Sequence, residues 1–437
     1  MTLPASSTFI QFGDELAPGF DLVISGKDAS NATPLFEAIR PLIASIEIED
    51  DEDMATQMTM TVVNQPDASI GQPINWRAVV DSKAFAEGNF VDVFMGYGGN
   101  RKFMDRVEII KWLPPFPSDG PPQFIVKGYD GRHKMAHGNN PIKVKKKRKC
   151  FYSNMNDAQI VKKIADKYGF DIDVDIPTAR SKAVQEFMEG KVVTHYVFPT
   201  RVQTVNMTDW AFLQKLAAIN NFDLWVGFDR TKSKYVVNFK ERPIAGNAEF
   251  EFDYNHGEGS LLTCTPDFSM KDQSTQVEVL LYDRKKRQIV RTIIFDTTKG
   301  EDVSLAGPSV GPGRLQATQE LGSGASVRFT AFGQTIEAFS DKPFANSKQA
   351  QQFAQGWLRE RDRDFLVVHG SVVGVTSLRA RQIHGLVGMG KRLDGFYRFT
   401  NVKHKMAPGE IYTVEFTAHK ILSQAVSRSS TTQKART

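Results

Sequence analysis

The sequence predicts a mainly β protein with α+β inserts: two antiparallel β-barrels, a helix-and-strand insert domain and a long helix. Three observations predict this class. Apolar and polar residues alternate in short runs towards both ends of the chain, which is the period of a half-buried strand. Phenylalanine occurs 31 times against 5 Trp and 10 Tyr, and large apolar rings in alternating runs are typical of strand faces. Helical spacing is found mainly in the middle of the chain and near residue 350.

Length and composition indicate how many domains the chain forms and which classes of protein it does not belong to. A chain of 437 residues exceeds one ordinary core and predicts two to four domains. The net charge of +5 is too small for a dedicated nucleic-acid binder. Cys150 and Cys264 lie far apart, without the spacing of a disulfide framework or a zinc site, which favours folding in a reducing cytoplasm. The sequence predicts neither a secretory leader nor a membrane span.

The first predicted barrel, residues 1–139, consists of alternating runs separated by turn residues. At least five strands at this spacing are typical of a sandwich or barrel. The glycine-rich stretch 96–100 predicts a hairpin loop, and the prolines in 114–122 are incompatible with a central strand. The predicted strands are Phe20–Ile24, Ala44–Ile48, Met58–Val63, Phe90–Met95 and Phe124–Tyr129.

Residues 140–245 are predicted to form an α+β insert domain. Its first helix has Asn156 as N-cap with Gln159 three residues later, and it ends at Gly169. The alternating run 170–176 predicts a strand with one acidic, wet face. A second helix, capped by Thr208, precedes a hairpin that pairs residues 222–228 with 235–239.

A basic run, residues 143–149, lies at the start of this insert. A solvated connector between domains explains it, and a nucleic-acid patch is the alternative, although no aromatic residue is interleaved before Phe151. The sequence does not decide the role of this run.

The second predicted barrel comprises residues 246–298 together with 365–422. Between them, residues 299–364 predict a loop rich in Gly, Pro and Ser (299–324) and a long helix that begins near Ser347. Residues 423–437 predict a disordered tail. The predicted strands are Gln276–Tyr282, Ile289–Phe295, Phe365–Val375, Ile383–Val387, Phe396–Val402 and Ile411–Thr417.

The nearest approach to a catalytic motif is the stretch 385–392. It fits a Walker A loop until Arg392, which stands where the motif requires a Ser or Thr hydroxyl for Mg²⁺. A phosphate site also requires a helix after the lysine, whereas residues 393–399 predict a turn and a strand. A glycine-rich hairpin is therefore favoured over nucleotide binding.

The histidines and carboxylates form no catalytic or metal-binding pattern. His133 and His137 lack the intervening glutamate of a zinc protease and are predicted to lie in a loop. The contiguous acidic run 47–53 differs from the separated carboxylate pair of a glycoside hydrolase and predicts a solvated loop between strands. No Gly-x-Ser-x-Gly motif occurs. We therefore expect no catalytic residue, no metal and no cofactor, and a protein that is not an enzyme.

Three segments together resemble the late control protein D family, the baseplate hub proteins of contractile phage tails. They are the strand run that ends at 124–130, the segment 203–217 with its Phe-Leu-x-x-Leu-Ala helix, and the closing strands 393–404 and 412–416. The positions that match the family's pattern are Gln203, Asp209, Phe212, Leu213, Leu216, Leu393, Asp394, Gly395, Tyr397, His404 and Tyr412. The acidic run 47–53 and the loop 299–324 have no counterpart in that pattern.

The resemblance implies a homotrimer in which each subunit contributes two tube-like β-barrels, so that three chains build a ring of six-fold character. It implies a structural adaptor between the central spike and the hexameric tail tube or a tube-initiator protein. It also implies contacts with other baseplate proteins and a channel through which DNA passes during genome ejection. The expected location is the tail baseplate of the virion, after assembly in the host cytoplasm and without a membrane anchor.

Three alternatives remain open at this point. A tail-associated peptidoglycan hydrolase would require a carboxylate pair that the sequence does not display. The hub of a secretion-type contractile injection system would share fold and symmetry with a phage hub. The unit 156–176 also resembles a LysM-type module, where a scaffold role competes with contact to glycan.

Overall fold

The computed structural model describes the residues in which the strands and helices of the chain can be followed. These are 18–26, 43–63, 85–113, 123–137, 149–175, 200–204, 207–243, 248–255, 259–269, 276–283, 288–295, 336–340, 353–354, 356–357, 361, 363–390, 392–421 and 433–434. Most of them lie in strands, and helices occur mainly in the middle of the chain. The predicted class, mainly β with α+β inserts, is confirmed.

Six antiparallel strands form the first half of the main sheet, in the order β1-β4-β5-β6-β3-β2. The prediction missed β5, because its sequence mixes charged and apolar residues and its pairing is interrupted by bulges against β4 and β6. The strands are β1 (Pro18–Ser25), β2 (Ile43–Asp51), β3 (Gln57–Val63), β4 (Phe90–Tyr97), β5 (Asn100–Leu113) and β6 (Gln123–Tyr129).

The second half of the sheet is centred on a long strand, β19. On one side β19 pairs with β20, which continues to β17 and β13, and on the other with β18, which continues to β12 and β21. The strands are β12 (Phe250–Asp253), β13 (Leu261–Phe268), β17 (Leu366–Val373), β18 (Ile383–Val387), β19 (Gly395–Met406), β20 (Thr413–Lys420) and β21 (Gln433–Lys434). Residues 433–434, within the tail that was predicted to be disordered, pair with β12, and the disorder of 423–437 stays a prediction.

The two halves are joined because β19 also pairs with β2. The antiparallel register runs from Asn401 opposite Asp51 to Met406 opposite Ile46. The result is one 13-stranded sheet with one apolar core that draws on both halves, including Met58 and Phe399. Among the described strands no pairing closes either half into a ring. The boundaries of the two predicted barrel domains stay a prediction.

The insert has its own core between three helices and two small sheets. Strand β11 pairs antiparallel with β10 and parallel with β8, and β7 pairs with β9. The elements are α1 (Arg132–His137), β7 (Lys149–Tyr152), α2 (Asp157–Ala165), a 3₁₀ turn (Asp166–Tyr168), β8 (Asp171–Val174), β9 (Arg201–Thr204), α3 (Asp209–Asn220), β10 (Phe222–Asp229) and β11 (Lys234–Glu241). The predicted hairpin is confirmed, with Phe228 opposite Tyr235.

A third small sheet differs from the expectation that all strands of 246–298 lie in the second barrel. Strand β14 (Gln276–Asp283) pairs with β15 (Gln288–Phe295) and with β16 (Ile336–Phe339), apart from the main sheet. Val277, Val279 and Phe353 form a small core there, against which Trp357 packs. Residues 353–354 and 356–357 are helical, whereas the loop 299–324 and the predicted cap Ser347 lie outside the described residues.

None of the helices in the described part of the chain is both long and apolar enough to cross a membrane.

Both ends of the first insert helix agree with the sequence prediction. The Asn156 side chain accepts a hydrogen bond from the Gln159 backbone N at 2.7 Å, and the Gln159 side chain accepts one from the Asn156 backbone N at 3.0 Å. Gly169 adopts φ 70°, a left-handed conformation that suits glycine at a helix end. These caps define where the helix begins and ends.

Asn156→Ala is expected to lower the free energy of unfolding by about 1 kcal/mol, because the first turn of α2 loses a cap acceptor. Chemical denaturation measures this loss. Lys215→Ala, an exposed change within α3, is the control and should leave stability within about 0.5 kcal/mol. Equal losses in the two variants would show that the cap does not contribute.

Candidate functional site

The segment that contains Gln203 and Asp209 forms a buried hydrogen-bond cluster in the insert. The Gln203 side chain is fully buried, and its Nε2 donates to Asp209 Oδ1 at 2.7 Å. The Tyr152 hydroxyl donates to Gln203 Oε1 at 3.2 Å. The Tyr168 hydroxyl donates to the other oxygen of Asp209 at 2.9 Å, and Lys167 Nζ lies 3.3 Å from the same oxygen. The cluster ties β7, β9 and the 3₁₀ turn to the start of α3.

The apolar motif residues of α3 lie directly beside this cluster. Phe212, Leu213 and Leu216 are buried in the core of the insert. The Phe212 ring stacks on the Tyr152 ring with 5.3 Å between centroids. Since Tyr152 also binds Gln203, the polar and apolar motif positions form one packed unit that supports the insert.

The remaining motif positions lie in the second half of the main sheet. The stretch that resembles a Walker A loop is the connection between β18 and β19, as the hairpin interpretation predicts. Asp394 Oδ1 accepts a hydrogen bond from the Met389 backbone N at 2.8 Å, which holds the turn. The Tyr397 hydroxyl donates to the backbone oxygen of Leu393, and Gly395 begins β19 with φ 151°. Lys391 lies outside the described residues.

His404 is the most deeply buried polar motif residue of this half. Its Nε2 lies 2.9 Å from Leu378 O, an acceptor, so this nitrogen carries the proton. Its Nδ1 therefore accepts from the Tyr412 hydroxyl at 2.6 Å. Burial, together with the charge of Arg379, lowers the pKa of His404 to about 3. His404 is thus neutral and links β19 to Tyr412 and to the segment before β18.

His404 is expected to stay neutral from pH 8 to pH 5, because burial and the charge of Arg379 disfavour the charged ring. The unfolded chain takes up a proton near pH 6.5, so stability should fall by roughly 1.4 kcal/mol per pH unit from this group as the pH drops from 6.5 towards 3. Ring ¹⁵N shifts of His404 report its protonation state, with the exposed His369 as the control. Titration of His404 near pH 6.5 would contradict the buried neutral ring.

The eleven motif positions thus form two clusters, one in the insert and one in the closing strands. Within the described residues no hydrogen bond joins the two clusters. The structure shows how each cluster stabilises its own unit. Any further role of these positions stays a prediction.

The acidic run that was predicted to be a solvated loop is instead mostly strand, and one of its carboxylates is buried. Strand β2 includes residues as far as Asp51, and Asp50 is only 5% exposed. Asp50 Oδ1 accepts a hydrogen bond from Arg381 Nη2 at 2.5 Å, and its Oδ2 accepts one from the Ala380 backbone N at 3.0 Å. The prediction failed because the arginines that pair with Asp50 and Glu52 come from distant parts of the chain.

Glu52 lies at the centre of a group of charges that we call the charged junction: Glu52, Asp223, Arg242 and Arg398. Arg398 Nη2 donates to Asp223 Oδ2 at 2.9 Å and to Glu52 Oε1 at 3.3 Å. Arg242 donates to the same two carboxylates, at 2.9 Å and 3.0 Å. Burial by itself would raise the pKa of Glu52, but the guanidinium groups of Arg398, Arg242 and Arg363 lower it below its usual value.

The charged junction links three parts of the molecule. Glu52 follows β2 of the first half, Asp223 lies in β10 of the insert, and Arg398 lies in β19 of the second half. Buried charges of this kind hold elements together only when each has a partner. The junction therefore sets how the insert sits on the sheet, and nothing in the local sequence pattern indicates it.

The two histidines that were predicted to lie in a loop belong to helix α1. His133 Nδ1 lies 2.6 Å from Asp130 O and donates to it. The short helix continues directly from β6, which the loop prediction missed.

One face of the main sheet is polar across seven neighbouring strands. The register places one residue of each strand in a continuous row that passes from the first half to the second through the β2 and β19 pair. We call this surface the polar face. Its central row is Tyr129, Gln57, Glu49, Lys403, Glu415, Ser371 and Thr263. Seven strands span roughly 29 Å at the usual spacing.

The polar face is held by contacts between its own side chains. Lys403 Nζ lies 2.7 Å from Glu47 Oε2, and Lys405 Nζ lies 2.5 Å from Glu415 Oε1. Hydroxyl groups line its far end, where the Thr263 and Ser371 oxygens lie 2.7 Å apart. On the central strand β19 of this face, both lysines are thus paired with carboxylates.

No protein-family model and no curated protein matches the sequence. Solved structures do match. The 43 kDa tail protein of prophage MuSo2 from Shewanella oneidensis superposes with a TM-score of 0.55 at 13% identity, over 93% of this chain and 99% of that chain. A tail protein from Neisseria meningitidis MC58 superposes with a TM-score of 0.55 at 10% identity, over 88% and 95%. The chain shares its fold with these two proteins over nearly its whole length.

Proposed function

We propose that this chain is a structural hub of a contractile phage-tail baseplate, a trimeric adaptor that joins the central spike to the tail tube. One observation supports this most strongly. Two proteins with the same fold are tail proteins, and the likeness covers nearly all of each chain rather than a single domain. The motif positions that resemble hub proteins lie in the buried clusters that hold the insert and the closing strands.

The polar face supports a channel-lining role in the same proposal. A passage for DNA requires a continuous wetted surface that does not retain phosphate groups. The polar face is continuous across both halves of the sheet, and the two lysines of its central strand β19, Lys403 and Lys405, are engaged by carboxylates. Its other face is the apolar core. In the proposed trimer this surface faces the channel, and the spike, the tube and other baseplate proteins bind at the ends and outside.

The mass of the purified protein in solution tests the trimer. We expect three times the mass of the chain, either alone or after the spike protein is added, because a ring needs large interfaces between identical subunits. A compact monomer under both conditions would contradict the hub proposal.

The double variant Thr59→Arg and Thr417→Arg tests the channel. Both positions lie on the polar face, and two added guanidinium groups there should bind phosphates and slow genome ejection from assembled particles. Glu410→Arg, which adds positive charge in the exposed turn between β19 and β20, is the control. Equal ejection rates from particles with the wild type, the double variant and the Glu410→Arg control, with the trimer intact, would show that the polar face does not line the channel.

A further inference from the structure

A cleft of about 510 Å³ lies where the insert meets both halves of the main sheet. Its walls come from β5, from the β10 and β11 hairpin, and from the segment 379–382. Clefts of this size at the meeting point of several units commonly hold a ligand or a side chain of a partner. None of the functions considered above uses it.

Asp105 is a buried carboxyl in the wall of the cleft. A bulge in β5 interrupts the alternation of the strand, so that the consecutive residues Met104 and Asp105 are both buried. Asp105 is only 8% exposed. Its carboxyl accepts a hydrogen bond from the Arg106 backbone N at 2.8 Å. Within the described part of the chain no cation lies at salt-bridge distance from it. Burial, followed by the nearby charge of Asp130, raises the pKa of Asp105 well above its usual value.

Two of the three cations that border the cleft are paired with other carboxylates, and the third, Arg379, lies close enough to oppose the rise in the pKa of Asp105 without forming a salt bridge. Arg381 pairs with Asp50 at 2.5 Å, and Lys240 donates to Asp175 at 3.2 Å. Arg379 donates to two backbone carbonyl oxygens of its own loop, at 2.6 Å and 2.9 Å. A buried carboxyl without a counter-ion is costly, so a cation supplied from outside would stabilise it.

Aromatic side chains give the cleft a preference among cations. Phe103, Trp225 and Phe228 line it. Each of these rings already has an arginine guanidinium near it within the chain, and the shortest distance is 4.2 Å from Arg106 Cζ to the Phe228 centroid. A guanidinium is flat enough to stack on such rings and can donate two parallel hydrogen bonds to one carboxylate.

We propose that the cleft binds an arginine side chain of another protein, with Asp105 as its counter-ion. The guanidinium enters between the hairpin and β5, donates to the Asp105 carboxylate and packs on the aromatic rings. This inference is independent of the trimer and of the channel, since it concerns a cleft within one chain.

The test uses Nα-acetyl-arginine N-methylamide as the probe and the full chain as the receptor. Calorimetric or NMR titration should show saturable binding to the wild type. Asp105→Asn, which keeps the shape of the side chain and cannot ionise, should bind about tenfold more weakly, because a charged hydrogen bond becomes a neutral one. The neutral citrulline analogue should bind as weakly to the wild type, and the lysine analogue more weakly than the arginine probe.

Two controls keep the result interpretable. Asp267→Asn removes an exposed carboxylate on β13 and should leave the affinity unchanged. Thermal unfolding establishes that Asp105→Asn is folded, and we expect it to be at least as stable as the wild type, since an isolated buried carboxyl is costly. Absence of saturable binding to the wild type would overturn the proposal. Equal affinity for Asp105→Asn, for citrulline or for lysine would overturn the assigned roles of Asp105 and the guanidinium.

Discussion

Arg398→Met is expected to lower the free energy of unfolding by about 3 kcal/mol, at the lower end of the range for breaking a buried ion pair. Arg398 is 6% exposed and binds both Glu52 and Asp223, so its removal leaves two buried carboxylates with less compensation. Arg242 still contacts both carboxylates, which limits the loss. Chemical denaturation measures the difference.

Lys403→Met is the matched control for this variant. It breaks the pair between Lys403 and Glu47 on the polar face, where both side chains are about a quarter exposed. Such a pair should contribute only about 0 to 1 kcal/mol. The loss of stability for Arg398→Lys should fall between those for Arg398→Met and Lys403→Met, because lysine keeps the charge and lacks the forked geometry of the guanidinium. Equal losses for Arg398→Met and Lys403→Met would show that burial does not strengthen the charged junction.

The effect of Arg398→Met should also depend on pH. The pKa of Glu52 in the folded protein lies below its unfolded value of 4.5, so its contribution to stability is present above pH 4.5 and is lost as the pH falls through the folded value. The difference between the wild type and the variant should therefore shrink in acid. A difference that stays constant from pH 7 to pH 3 would contradict the role assigned to Glu52.

Tyr412→Ala is expected to lower the free energy of unfolding by about 3 to 5 kcal/mol, as for other buried aromatic residues. The Tyr412 ring is fully buried, with the Tyr97 ring 5.7 Å away between centroids. The ring packs directly on Gly374, because a Cβ at that position would lie 2.2 Å from it. The variant would therefore contain a cavity between the two halves of the sheet.

Tyr412→Phe separates the hydroxyl from the ring. It keeps the packing and leaves Nδ1 of His404 without its donor, which should cost about 1 to 3 kcal/mol. Ile411→Ala is the control, since Ile411 is 72% exposed and its loss should change stability by less than about 0.5 kcal/mol. If Tyr412→Phe is as stable as the wild type, the hydrogen bond to His404 contributes nothing to stability.

Several elements could be predicted because their signals are local. In β3 the buried residues Met58, Met60 and Val62 alternate with polar ones, so the strand and its inner face follow from the pattern. The caps of α2 are equally local, since Asn156 and Gln159 bind each other within one turn. By contrast, β5 was missed because its bulges break the alternation on which the prediction depends.

The candidate sites, by contrast, could not be predicted from local sequence patterns. Asp105 looks like one charged residue of a mixed strand, and only the bulge and the neighbouring insert show that it borders a cleft. The acidic run looked solvated because Arg381, which binds Asp50, lies 331 residues further along the chain. No short stretch of the sequence contains both Asp50 and Arg381.

The sequence by itself therefore determined the mainly β class, the inner faces of the alternating strands and the ends of the insert helices, because each depends on residues a few positions apart. Only the tertiary structure decided that β2 pairs with β19, that one core and one polar face cross both halves, that Asp50 is buried, and that Glu52 belongs to the charged junction. These features depend on contacts between residues hundreds of positions apart, and the free energy of such contacts is set by burial and geometry that arise only when the chain is folded.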